Sequence, residues 1–320
     1  MPLISIVTPC FNEEGNVDEL HRRIAAQFAG LPDCDYEHIF IDNASTDGTA
    51  AAIRRLAGTN SRVKAILNSR NFGHIRSPMH ALLQARGDAV ITMASDLQDP
   101  PELIPAFIAK WREGFRVVAG VKPQSLETPL MAFIRRSYYI TIGRIADVSL
   151  IPNFTGFGLY DRSIVEIARR YDDPYPYFRG MVADIGFPHA EIPYEKPLRL
   201  RGITKNNFYT LYDLAMLGIT SHSKLPLRLA TMAGFSLSLL SLLTAFAYLV
   251  LKLLYWDSFG LGMAPVLVGM FFFASVQLFF IGILGEYIAN IHTQVQKRPL
   301  VIERERINFD ATPTAPTPPQ

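Results

Sequence analysis

The chain has 320 residues, of which 49% are hydrophobic and 19% charged, and its net charge is only +2. That length accommodates one substantial α/β domain plus a further element, and so small a charge argues against nucleic acid as the main partner. Two cysteines, Cys10 and Cys34, are too few for a disulfide framework, and free thiols are expected at both.

The segment Met1 to Thr8 has no basic stretch and no long apolar run, so it does not read as a signal peptide. The short apolar run Leu3 to Thr8, ending at Pro9, predicts a buried strand. Val17, Leu20, Ile24 and Phe28 recur at helical spacing and predict a helix over 16–29. A second strand is expected at 38–42, a helix at 49–57, a strand at 63–67, a helix at 78–85 and a strand at 89–93. A helix over 101–111 carries its prolines in the first turn, where they are tolerated, and Val117 to Ala119 predicts another strand. Such alternation argues for a mostly parallel sheet with helices on both faces, whose ligands bind beyond the carboxyl ends of the strands.

The last third changes character. No charged residue occurs from Leu229 to Leu251, nor from Ser258 to Gly285. Either run is long enough to cross about 30 Å of hydrocarbon, and the alternative is a pair of buried core helices. Lys224 and Arg228 precede the first run, and Lys297 and Arg298 follow the second. The link around Tyr255, Trp256 and Asp257 holds only Lys252 nearby, so both termini are expected on the cytoplasmic side of an inner, multi-pass membrane location. Residues 206–225 are apolar with polar interruptions and read as helices on the membrane surface, or as an amphipathic helix packed on the domain. The domain limits expected are therefore 1–205, 206–225, 226–290 and a tail over 291–320 whose Pro/Thr/Ala-rich end is disordered.

The polar clusters fall at the strand ends. Strand one runs into Thr8-Pro9-Cys10-Phe11-Asn12-Glu13-Glu14, and strand two into Asp42-Asn43-Ala44-Ser45-Thr46-Asp47-Gly48-Thr49. A carboxylate at such an end can accept hydrogen bonds from a base or ribose; Asp47 and Thr49 are equally suited to cap the next helix. The fourth strand ends in Ser95-Asp96-Leu97-Gln98-Asp99-Pro100-Pro101-Glu102. In an extended segment Asp96 and Gln98 point the same way. Such a pair of oxygens suits Mg²⁺ or Mn²⁺ held against a diphosphate. Asp99 is placed to cap the helix that follows. The seven histidines are scattered, with His74 near a possible phosphate or sugar contact.

These segments, with Ser69-Arg70-Asn71-Phe72-Gly73, Arg201-Gly202-Ile203-Thr204-Lys205 and Gly285-Glu286-Tyr287, resemble glycosyltransferase family 2. The resemblance is to the polyprenyl-phosphate glycosyltransferases, of the dolichyl-phosphate mannose synthase and bactoprenol glucosyltransferase type, and covers nearly the whole chain. It implies a GT-A (Rossmann-like) α/β domain followed by a two-helix transmembrane hairpin. It also implies inverting, metal-dependent transfer of a sugar from a UDP-, GDP- or dTDP-sugar to a polyprenyl phosphate, in a membrane protein that forms homo-oligomers. By the same resemblance Pro9, Phe11, Glu13, Asp42 and Asp96 bind the nucleotide sugar. Asp96 and Gln98 hold the metal, Asp96 being the catalytic position, and Arg199, Arg201 and Lys205 meet the phosphates. The chain departs from the family pattern at Ala94, where a first aspartate is usual, and at Gly156 and Gly158, where an acid and an arginine are expected. Those losses leave two other readings in view, a transferase acting on a glycan or protein hydroxyl and a catalytically dead membrane scaffold. A phosphate acceptor is favoured because it is already anionic near neutral pH and needs no base, whereas a hydroxyl does. Asp161, ahead of Arg162, is expected to cap a helix.

Overall fold

Runs that are apolar on both sides become strands buried on both sides. The computed structural model describes residues 1–122, 150–195, 216–221, 223–255 and 263–309. In chain order the elements are β1 (Leu3–Cys10), α1 (Val17–Ala29), β2 (Asp35–Asp42), α2 (Thr49–Thr59), β3 (Val63–Asn68), α3 (Gly73–Gln84) and β4 (Ala89–Thr92). A 3-10 turn (Pro101–Leu103) leads into α4 (Ile104–Arg112), followed by β5 (Val117–Val121). Beyond it come β6 (Phe154–Asp161), α5 (Arg162–Tyr171), α6 (Phe178–Ile185), β7 (His189–Pro193), α7 (Leu225–Leu254), α8 (Met263–Gln296) and β8 (Glu303–Ile307).

The strands form one sheet in the order β7-β5-β6-β4-β1-β2-β3-β8. Pairing is parallel for β4-β1-β2-β3 and for β5-β7, and antiparallel at β4-β6, β5-β6 and β3-β8. The sheet is thus mixed, with β6 running antiparallel between β4 and β5. Alternating side chains send Val7, Ile39 and Ile41 to one face against α3, α5 and α6. Ile4, Ile6 and Ile91 face α1 and α4 on the other, and Phe40 and Ala65 face α2. Because β1 sits between β4 and β2, the sheet reverses direction of winding there, and the loops that follow these three strands gather at one edge.

Some boundaries differ from expectation. Helix α3 begins at Gly73, five residues before Pro78, so the proline lies inside the helix rather than at its start. The positive φ of Gly73 admits the chain to the first turn. Asp161 caps α5 as expected, accepting from the Ser163 amide at 2.9 Å. Asp99 does not cap a helix: Pro100 precedes the 3-10 turn without any side-chain cap.

Both α7 and α8 are long and apolar enough to cross a membrane, and neither is buried within the chain. Phe235, Leu242 and Leu278 are about two-thirds or more exposed, which rules out the buried-core alternative. The end of α8 is tied to the start of α7 and to the sheet domain. Tyr287 of α8 donates to the Ser223 carbonyl at 2.6 Å, and Gln294 donates to Asp173 at 2.8 Å. The chain then runs straight into β8, which pairs with the edge strand β3. Residues 123–149, 196–215 and 310–320 lie outside the described residues; so therefore do Arg199, Arg201, Lys205, most of the expected interfacial helices and the end of the tail.

Docking of β8 is electrostatic as well as ladder-bonded. Glu303 accepts from His80 at 2.6 Å and from Arg306 at 2.7 Å. Burial alone would raise the Glu303 carboxyl, but these hydrogen bonds outweigh it and bring its pKa down to about 2. A carboxylate depressed in the folded state stabilises above its ordinary value and loses that contribution as pH falls through the folded one. Glu303→Gln is therefore expected to flatten the acid dependence of β3–β8 amide exchange between about pH 4.5 and 2. At neutral pH it should speed β8 exchange by about fivefold, the equivalent of ~1 kcal/mol.

Candidate active site

The carboxyl ends of β1, β2 and β4 bring three loops together. Cys10 marks the meeting point. Burial raises its thiol pKa, the Asp42, Glu13 and Asp47 charges raise it further, and the Ser95 hydroxyl acts against them. Asp42 is fully buried at the end of β2 and accepts from both the amide and the hydroxyl of Ser45. Glu13, 9% exposed, accepts from Asn16 at 2.6 Å, while its own amide donates to Thr49 Oγ1 at 2.8 Å. Asp47 accepts from the Thr49 amide at 3.0 Å just ahead of α2, whose N-cap residue is Gly48 and has no side-chain cap. Pro9 is paired with Ile41 in the sheet, and Phe11 lies in the following loop. Pro9, Phe11, Glu13, Asp42 and Asp96 thus belong to one cluster of adjacent loops.

The Asp96–Gln98 pair is held differently from the extended segment expected. Leu97 has φ of 60°, and Asp96 Oδ1 accepts from the Gln98 amide at 3.2 Å, so the segment is a tight turn. Both side chains are half-buried, alternating with the buried Ser95, Leu97 and Asp99. One carboxylate and one amide oxygen do not enclose a cation by themselves, and no cluster of three acidic, histidine or cysteine ligands occurs among the described residues. The donor set fits a hard divalent ion that takes its remaining oxygens from a diphosphate and water.

Beside this turn lies a cavity of about 270 Å³, between α3, β4, β6 and the start of α6. Its walls are mainly apolar, with polar groups from Asp99, His74, Thr92, Thr155, Tyr177 and Arg179 among them. Asp99 is 7% exposed; its oxygens accept from the Ala94 amide at 3.0 Å and Tyr194 Oη at 2.9 Å. Burial pushes the Asp99 carboxyl above its ordinary value, with those hydrogen bonds and the Lys122 charge opposing. Partial desolvation and the neighbouring Arg179 charge hold the His74 imidazole below its ordinary value. Tyr194, Thr92 and Arg179 were not singled out by sequence, and Asp99 was read there only as a helix cap. No motif signals that they share a cavity, because only folding assembles them.

The two glycines that replace charged residues behave differently. Gly156 has φ of +99°, and a side chain there would meet open space, while its carbonyl accepts from Tyr160 Oη at 2.7 Å and from Thr92. Gly158 is paired with both Thr92 and Ala119 inside the sheet. A Cβ at Gly158 would run into the Val118 carbonyl oxygen well inside contact distance.

A layered mixed sheet with acid-bearing loops at the ends of β1, β2 and β4 defines a GT-A-like α/β domain, here carrying two long apolar helices after it. The model for Glycosyl transferase family 2 matches residues 5–167. The chain belongs to that family and is a glycosyltransferase. It is 34% identical to an uncharacterized glycosyltransferase of Synechocystis, across 93% of this chain and 94% of that one. It is 33% identical to the SfII prophage-derived bactoprenol glucosyl transferase of Shigella flexneri, across 93% and 96%. Among solved structures it resembles a mannosyltransferase of Pyrobaculum calidifontis in complex with GDP-Man and Mn²⁺, with 18% identity, 92% and 87% coverage and a TM-score of 0.44.

The close strand contact at Gly158 makes a stability prediction. Gly158→Ala should lower stability by about 2 kcal/mol or more, because backbone rather than a movable side chain blocks the methyl. A thermal melt of the detergent-solubilised protein checks this; an unchanged midpoint would contradict the close approach.

Proposed function

We propose that the protein is an inverting transferase that moves a sugar from a nucleotide-sugar donor to a polyprenyl phosphate at the cytoplasmic membrane face. The observation that carries the acceptor assignment is the cavity beside Asp96. Among its described lining residues Asp99 is the sole carboxylate, and both its oxygens are engaged. The Ala94 amide and Tyr194 already claim those oxygens, which competes with any use of Asp99 as a base for a hydroxyl. A phosphate monoester needs no base, since its second pKa is about 6 and it already carries a nucleophilic oxygen. Two unburied apolar helices attached to the same domain suit an acceptor that resides in a bilayer. Relatives bearing the name bactoprenol glucosyl transferase align over almost the whole chain, helices included.

In this reading Asp42, Glu13, Pro9 and Phe11 hold the nucleoside, with Asp42 pre-set by Ser45. Asp96 and Gln98 hold Mg²⁺ or Mn²⁺ on the donor diphosphate, where a divalent ion offsets the charge that builds on the leaving group. An oxygen of the lipid phosphate forms the new bond to the anomeric carbon as the bond to the nucleoside diphosphate breaks, inverting the centre. Arg199, Arg201 and Lys205 are assigned to the phosphates. Both ends of the α7–α8 pair approach the sheet domain, which supports placing both termini on the cytoplasmic side. Transmembrane multi-pass insertion in an inner membrane and a homo-oligomeric assembly belong to the same proposal.

A transfer assay tests it. Purified protein in detergent, given undecaprenyl phosphate, Mn²⁺ or Mg²⁺ and a panel of UDP-, GDP- and dTDP-sugars, should form a glycolipid. Chelation should abolish the product, and Asp96→Ala should reduce the rate by about a hundredfold or more. Nucleotide binding without product from any donor would favour the scaffold reading, and transfer to a glycan or protein hydroxyl would replace the lipid acceptor.

A further inference from the structure

Arg179, in the first turn of α6, brings a guanidinium to the same cavity. It is partly buried, donates to the Phe154 carbonyl at 3.3 Å, and stands 5.5 Å from the Tyr177 ring. Among the described residues it forms no ion pair with a carboxylate. Its charge is felt by His74 across the cavity and by Tyr160 beneath it. A cation in mainly apolar surroundings is costly unless an anion joins it, and a guanidinium is best matched by a planar or tetrahedral oxyanion. Gly156, in the same wall, leaves open space instead of supplying that anion from the chain.

The path to this cation begins at the membrane helices. A second cavity, of about 440 Å³, lies where Tyr171, Asp173 and Met181 meet Ser223 and Lys224 before α7 and Asn290 of α8. Tyr177 lines this cavity and also the one holding Arg179. The segment 173–179 is therefore anchored at one end to α8, through Gln294 and Asp173, and reaches the candidate active site at the other. The acidic groups of the second cavity are already engaged, Asp173 by Gln294 and Asp184 by the Tyr171 hydroxyl at 2.5 Å. Asp42 and Glu13 line neither cavity, whereas Pro9 of the same cluster lines the one that holds Arg179.

We propose that Arg179 binds the monophosphate of the lipid acceptor, which reaches it from the helix-side cavity past Tyr177. The assignment rests on the lipid-phosphate reading above and adds a binding residue that neither motif nor resemblance supplies. It separates the two phosphate sources in the site, giving the donor diphosphate to the Asp96–Gln98 turn and the acceptor monophosphate to α6.

The test uses the full chain in detergent with a short-chain polyprenyl phosphate. Arg179→Gln should raise the KM for the lipid phosphate by about tenfold or more, while the KM for nucleotide sugar changes less than about twofold. Arg179→Lys, which keeps the charge but loses the fork, should raise it about threefold and thereby serve if the glutamine variant fails to fold. An unchanged acceptor KM in the variants, or a rise in the donor KM instead, overturns the proposal. Binding of the same lipid phosphate, followed by phosphorus NMR, separates this from failure of the transfer reading. Should wild type bind the lipid phosphate but transfer nothing to it, loss of binding in the Arg179 variants supports the site. Equal binding in wild type and variants, or none in wild type, overturns it.

Discussion

Backbone amides in the loops beyond a parallel sheet have no ladder partner, and each must find one or remain unsatisfied at considerable cost. Here the neighbouring loop supplies it. Asn12 donates its amide to Ser45 Oγ at 2.9 Å and accepts from the Thr46 amide at 2.8 Å. Glu14 accepts from the Gly48 amide at 2.6 Å. Asn43 accepts from the Phe72 amide at 2.8 Å and donates to Asn71 at 2.9 Å, carrying the network to the loop after β3. Three loops are thereby locked to one another rather than to their own strands. The left-handed Asn12 and Ala44 are bends in that network. The acids proposed to hold the donor are rigid because their backbones are mutually fastened, which is what positioning a nucleotide requires.

The same logic governs the attachment of the apolar helices. A hairpin joined to the domain only by its leading chain would leave the site free to tilt against a bilayer. Instead α8 is pinned by Tyr287 and Gln294, and its continuation closes the sheet edge as β8. Arg54 with Glu305 and His80 with Glu303 fasten that strand to two helices. The sheet therefore ends in β8, a short strand of alternating glutamates and arginines, a charged edge of the kind that discourages further strand pairing. The distance between helix ends and candidate site is thereby set by folded structure and not by a linker. If the acceptor is the lipid phosphate proposed above, such rigidity would convert a search in three dimensions into delivery at a fixed height.

Much of this was legible in the chain because the relevant signals are local. The apolar runs of β1 to β3 are buried on both faces and needed no tertiary information. Asp42, Glu13 and Asp96 stood out because they sit at or soon after the ends of apolar strand-like runs, and those strand ends lie together in the sheet. The rest depends on distant partners. Strand β8 reads Glu-Arg-Glu-Arg-Ile, with neither an apolar run nor an alternating apolar face, and is a strand because β3 offers an edge. Asp99 looks like a helix cap beside Pro100, yet Tyr194 and the Ala94 amide claim it. The Asp96–Gln98 geometry turned on the conformation of Leu97, and a leucine with positive φ leaves no trace in a pattern of residue types.

The departures at Ala94, Gly156 and Gly158 are connected by structure more than by sequence. Ala94 contributes its amide to Asp99, so the loop shape survives without a carboxylate at that position. Gly158 lies where two strands approach too closely for any side chain, so an arginine there would require the β5–β6 pairing to change. Gly156 leaves space, but its backbone sits in a region that most side chains avoid. Restoring one charged group would therefore meet a backbone built for its absence. A site shaped this way gives up a fixed acid and its matching cation together, which keeps the local charge balanced. What remains is a mainly apolar cavity with a guanidinium at one wall, an environment that a reactant bringing its own negative charge would complete.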